Sequence, residues 1–195
     1  RAVTEAREQT IADTRGWTEE TTWPFEYQPG LGRDGNRLNW ALHLANIRLR
    51  TEIEAARGRQ GMATTIAAVL FESDAAGVRE PIRGATIGHV GDSRVYRWRG
   101  GRLDRLTRDH SWVEELVDDG RITEEEALEH PHRSLILRVL NGSPTHSPDL
   151  GWADVRAGDR LLVCSDGLCG LVTDARIADA VGGGASRADA VAALV

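Results

Sequence analysis

Asp159-Arg160-Leu161-Leu162-Val163-Cys164-Ser165-Asp166-Gly167-Leu168 is the stretch on which the fold is decided. Its apolar run, opened by Gly158-Asp159 and closed by Ser165-Asp166-Gly167, predicts a short strand buried on both faces that ends abruptly in a turn. A carboxylate at the mouth of a core strand is rigidly aimed while its oxygens still reach solvent or a cation, and Gly167 lets the backbone turn away without steric cost. Asp166 is therefore a candidate metal ligand. A lone Asp-Gly after a strand is as a rule only a turn. What shifts the balance is a second strand end of the same kind upstream, Gly88-His89-Val90-Gly91-Asp92-Ser93-Arg94.

Outward from these two strand ends the pattern is mixed. Ile82 to Val90 reads as the strand that delivers Asp92, and Ile66 to Phe71 as a central strand before it. Val95–Trp98 and Arg102–Thr107 alternate in opposite senses around Gly100-Gly101, which predicts a tight hairpin with positive backbone angles. Leu150–Val155 and Arg160–Ser165 read as a further hairpin about Ala157-Gly158. Asn36 to Arg57 carries Leu38, Ala41, Leu42, Ala45, Leu49, Ile53 and Ala56 at helical spacing, so one face of this helix should lie on a sheet, with Gly58 as its stop. Short helices are expected at Trp112–Asp119, closed by Gly120, and after the capping box Thr123/Glu126. Others follow Thr173-Asp174 and Ser186, and helical composition marks Arg1–Ile11. Leu135–Leu140 is too short to assign, and the aromatic segment Gly16–Gly35 reads as a loop packed on a helix face. Strands joined by hairpins, with helices gathered before and after them, give an α+β fold rather than a doubly wound parallel sheet.

At 195 residues, 41% of them hydrophobic, the chain suits a single domain with a real core. A net charge of −6 with both signs interspersed leaves no basic stripe for nucleic acid. No apolar run approaches the roughly 20 residues that cross a bilayer, and Arg1–Thr10 is too polar for a signal peptide. Cys164 and Cys169 fit neither a disulfide framework nor a Cys-x-x-Cys site, so they are expected to be reduced packing residues in a cytoplasmic protein. The start at Arg1 and the stop at Val195 inside a helical pattern lead us to expect a piece of a longer protein.

If the strands that bear Asp92 and Asp166 are neighbours in one sheet, the carboxylates converge. They then repel unless a proton or cation lies between them, and all-oxygen ligation favours Mg²⁺ or Mn²⁺. Otherwise both are turn residues. Thr64 and Thr65, at a strand start, either line a narrow site or satisfy local backbone groups, and the second reading is favoured. Ser93 lacks the second glycine of a nucleophile elbow. His130-Pro131-His132 does not place two imidazoles on one helical face, and no glycine-rich loop is followed by Lys-Ser or Lys-Thr. Asp34-Gly35 and Asp119-Gly120 read as turns flanking helices.

Five blocks in order resemble the PPM family of metal-dependent, type-2C-like serine/threonine protein phosphatases in their bacterial form. They are Gly61-Met62-Ala63-Thr64-Thr65, Gly88 to Tyr96, Leu106-Thr107-Arg108-Asp109-His110-Ser111, Glu129-His130-Pro131-His132-Arg133 and Gly158 to Leu168. The resemblance implies a β-sandwich of two antiparallel sheets with helices on both outer faces and a centre of two or three Mg²⁺ or Mn²⁺ ions at one edge. It assigns Asp166 to that centre and Asp92 to an additional, weaker metal shared with Asp166. Thr64, Thr65, Gly91, Ser93 and Gly167 become supporting residues, and Ser111–Leu140 is similar to the flap beside the substrate cleft. The family's Asp-Gly-Met-Gly-Gly and C-terminal Asp-Asn blocks are not found between Arg1 and Val195, so the resemblance implies a domain incomplete at both ends. Ala63 stands where the family has glycine.

What the resemblance implies for an intact protein is hydrolysis of phosphoserine and phosphothreonine by a metal-activated water, with no phosphoenzyme intermediate. The substrates would be phosphoproteins, opposing a bacterial serine/threonine kinase. The alternative is a pseudophosphatase or regulatory binding module that keeps the fold without a full metal centre.

Overall fold

A computed structural model describes residues 26–71, 82, 84–145, 147–183 and 186–194 of the chain. The helix expected over Arg1–Ile11 and most of the aromatic loop lie outside these residues. The described chain forms two compact units: one runs to Val90 and resumes over Val139–Val155, the other comprises Gly91–Arg138 and the chain from Arg156 onward. No helix among the described residues is long and apolar enough to cross a membrane.

In the first unit, helix α1 (Gly32–Ala55) buries Leu38, Ala41, Leu42, Ala45 and Leu49, the stripe set by its helical spacing. It starts earlier than Asn36. Asp34-Gly35 is therefore no turn but part of the first helical turn, where a carboxylate suits the positive end of the helix and accepts from Arg37 Nη1 at 2.9 Å. Strands β1 (Ile66–Phe71), β2 (Ala85–Val90) and β5 (Asp149–Ala153) pair antiparallel in the order β1-β2-β5. The central strand is thus β2, buried throughout, and β1 is an edge among the described residues. Leu38 and Leu42 pack with Ala68, Ile66, Leu70 and Leu150, as the expected seating of the helix on a sheet requires. Gly88 makes the close seat possible, since a Cβ there would come within 3.0 to 3.2 Å of Leu38 and Leu42 carbons. Two buried asparagines fasten the helix to loops. Asn36 exchanges bonds with the Gln28 backbone in both directions at 2.8 Å, and Asn46 accepts from Gly142 N–H and donates to Ser143 O, each at 2.8 Å. Thr64 forms a two-way backbone bridge with Leu140 and its hydroxyl donates to Thr65 O at 3.0 Å, the local satisfaction that its residue type favours.

In the second unit, β3 (Arg94–Arg99), β4 (Arg102–Arg105) and β6 (Arg160–Cys164) form an antiparallel sheet in the order β4-β3-β6. The β3–β4 hairpin turns through Gly100 and Gly101 with φ of +57° and +88°. Helices α2 (Trp112–Asp118), capped by Ser111, and α3 (Glu124–Glu129), with the Thr123/Glu126 capping box, stand where their caps place them. Gly120 turns the chain between them at φ +66°, as expected for Asp119-Gly120. Helix α4 (Asp166–Cys169) is a single turn, and α5 (Asp174–Gly182) and α6 (Arg187–Ala192) follow. Tyr96, Cys169, Ile177 and Val181 form the core, against which Leu162 and Cys164 pack.

Two expectations fail here. Strand β6 is not buried on both faces: as an edge strand among the described residues it turns Leu162 and Cys164 inward and leaves Val163 49% exposed. Nor do β5 and β6 form a hairpin, because β5 pairs with β2 and β6 with β3. The turn between them is as tight as a hairpin turn, with Asp159 accepting from Arg156 N–H at 2.7 Å and Gly158 at φ +95°, but it carries the chain from one sheet to another. The α+β class with antiparallel sheets and helices stands.

Asp159 also receives two 2.7 Å bonds from the Arg99 guanidinium, which pulls its carboxyl down to about 2. A carboxyl depressed in the folded chain contributes stability above its ordinary value that is lost as pH falls through the depressed one. Asp159→Asn should cost about 1 kcal/mol at pH 7 once solvent screening of the half-buried pair is allowed for. Urea melts of both proteins should converge as pH drops from about 4 to 2.

Candidate metal centre

Register explains how the two candidate carboxylates meet. Strand β3 begins at Arg94, directly opposite Cys164 near the end of antiparallel β6. Asp92 lies two residues before Arg94 and Asp166 two residues after Cys164, so both leave the same end of the sheet. The neighbour of the Asp166 strand is the one that follows Asp92, not the one that precedes it. Both side chains line one cavity of about 440 Å³ in the second unit.

Asp92 is 9% exposed and Asp166 is exposed. Burial raises the Asp92 carboxyl above its ordinary range and the Asp166 charge raises it further, while its own backbone N–H and Arg94 act the other way. Among the described residues neither carboxylate has an ion pair or a side-chain hydrogen-bond donor. The cations nearby are committed elsewhere. Arg94 grips Asp109 through Nε at 3.0 and 2.9 Å and Nη2 at 2.7 Å, and Arg105 pairs with Glu114. Burial works against the Arg94 charge, yet Asp109 more than offsets it and the guanidinium stays protonated. A buried carboxylate without an ion pair, lining one cavity with a second carboxylate whose charge it feels, is an oxygen donor set suited to a hard divalent ion. The residues present fit such an ion.

The supporting residues divide. Gly91 is required by its backbone, at φ +105°, and Ser93, two residues on, is buried. Gly167 is not so constrained: it lies in α4 with ordinary helical angles, and a Cβ there would meet only Ser165 Oγ at 3.5 Å. The chain after Asp166 is turned by a helix, not by a glycine. Thr64 and Thr65 belong to the first unit, with the backbone roles given above.

Spacing alone missed the framework around Asp92. Tyr96 Oη accepts from Arg94 at 3.0 Å and donates to Asp174 at 2.9 Å, so Asp109, Arg94, Tyr96 and Asp174 form one chain of partners. The sequence signal was the block Arg108-Asp109-His110-Ser111, which the resemblance had marked without a role. The lining of the cavity also has an apolar part that includes Val117, Leu128 and Leu171.

No protein-family model matches the chain. The chain is 41% identical over 145 residues to the serine/threonine protein phosphatase PstP of Mycobacterium tuberculosis, covering 74% of this chain and 26% of that one. The crystal structure of a PstP catalytic domain in complex with two manganese ions is similar at 31% identity and a TM-score of 0.70, over 97% of this chain and 72% of that one. The PPM Ser-Thr phosphatase MsPP of Mycobacterium smegmatis, in complex with cacodylate, is similar at 31% identity and a TM-score of 0.72, over 98% and 73%. The chain spans 26% to 46% of the length of the curated relatives it matches.

Proposed function

We propose, because this chain belongs to the PPM family of bacterial serine/threonine protein phosphatases, that the protein hydrolyses phosphoserine and phosphothreonine in other proteins with Mg²⁺ or Mn²⁺ as cofactor. The observation that carries this reading is the arrival of Asp92 and Asp166 in one cavity, one of them buried without a cation. These two side chains would hold a divalent ion, together with other ligands of the phosphatase. Bound there, such ions acidify water and neutralise charge that develops on phosphoryl oxygens.

What the chain itself does is hold and shield. Asp92 gains most from a bound cation, because burial and the Asp166 charge both disfavour its anion. Asp166, exposed and lining the same cavity, is open to a phosphorylated residue from solvent. Ser93 is structural in this reading, so no phosphoenzyme forms. The apolar wall gives room for a peptide side chain next to the phosphorylated one. A serine/threonine kinase makes the substrates, which places the protein in signal transduction, and the free cysteines suit the reducing cytoplasm. The names of the relatives favour an active phosphatase over a pseudophosphatase. The test is phosphate release from a phosphothreonine peptide by the full-length protein: turnover with Mn²⁺ that stops in EDTA is expected, and turnover indifferent to EDTA would contradict the reading.

A further inference from the structure

The turn that presents Asp92 is held on both sides by one short segment. Gly91 stands at a positive φ, which directs its N–H into the interior, where a buried donor needs an acceptor. His110 Nδ1 accepts from it at 3.1 Å, and the His110 backbone N–H donates to Gly91 O at 2.9 Å. Any residue at position 110 could make the second bond. Only a side chain with an acceptor at the Nδ1 position makes the first, and in doing so it fixes the imidazole as the Nε2–H tautomer. Beyond Asp92, the same segment takes Arg94 through Asp109 and Val95 N–H through Thr107 Oγ1 at 3.1 Å. His110 is 3% exposed and Asp109 6%, so the clamp is largely buried.

We infer that His110 is a positioning residue: by satisfying the Gly91 amide it fixes the aim of the Asp92 carboxylate and so sets the affinity of the centre for its divalent ion. This rests on the metal reading given above. A carboxylate that must meet an ion within a few tenths of an ångström loses affinity when its backbone is free to rotate, and loss of an outer support of this kind typically weakens metal binding about 10- to 100-fold.

The test is Mn²⁺ binding by the full-length protein, read from the spectrum of free Mn²⁺ rather than from turnover. His110→Phe, or His110→Ala should bulk prevent folding, is expected to weaken binding about 10-fold or more. His110→Asn places Oδ1 where Nδ1 was and should restore it to within about threefold. Asp159→Asn, which breaks a half-buried ion pair elsewhere in the unit, should lower the melting temperature and leave the affinity unchanged. Wild-type affinity in the Phe and Ala variants, or equal loss in Asn and Phe, would overturn the inference. No Mn²⁺ uptake by the unaltered full-length protein would instead overturn the metal reading beneath it.

Discussion

Asp166→Asn in the full-length protein should lower kcat/KM for Mn²⁺-dependent hydrolysis of a phosphothreonine peptide by more than about 100-fold, beyond what loss of an outer support costs. The change removes one charge and almost no volume. Asp166 is exposed and has no ion pair among the described residues, so the fold has little to lose. Asp92→Asn should depress activity too, with an opposite signature in stability. Burial and the Asp166 charge both disfavour the Asp92 anion, so its neutral isostere should melt higher than wild type in EDTA and lose that advantage when Mn²⁺ is added. Activity lost while metal-free stability rises is the mark of a residue kept for binding rather than for folding. Peptide kinetics with paired melting curves, with and without the metal, would show it.

Asp109→Ala should destabilise the second unit strongly, by about 3–5 kcal/mol, because it strands a largely buried guanidinium. Arg94 is 16% exposed and Asp109 7%, and three contacts of 3.0 Å or less join them. One residue away along the chain, Arg108 pairs with Asp118 at 50% and 45% exposure. Asp118→Ala should therefore cost no more than about 1 kcal/mol, since water replaces what the exposed pair loses. Urea titration of the two variants side by side measures both, and comparable losses would mean that burial does not govern these pairs.

Local rules carried most of the architecture. The Gly100-Gly101 hairpin, the Ser111 and Thr123 caps and the apolar stripe of α1 each depend on neighbours a few residues apart, and each stands as its spacing requires. The errors lie where partner choice is not local. Four apolar residues at Leu161–Cys164 look alike in a central and an edge strand, and the tight turn at Ala157-Gly158 looks alike in a hairpin and a crossover. Asp34-Gly35 at the start of α1 reads as a turn until the Asp34–Arg37 pair is seen. At the site, strand ends pointed to Asp92 and Asp166, but their meeting depends on the pairing of Arg94 with Cys164, which lie 70 residues apart in the sequence. The roles of His110 and Asp109 were illegible for the same reason. A histidine that accepts from one buried amide has no periodicity to reveal it.

The most direct measurement is anomalous diffraction at the manganese edge from crystals of the full-length protein grown with Mn²⁺. The account requires a peak within about 2.5 Å of carboxylate oxygens of both Asp92 and Asp166. Manganese bound only elsewhere, with those two carboxylates turned apart or bonded to protein donors, would contradict it.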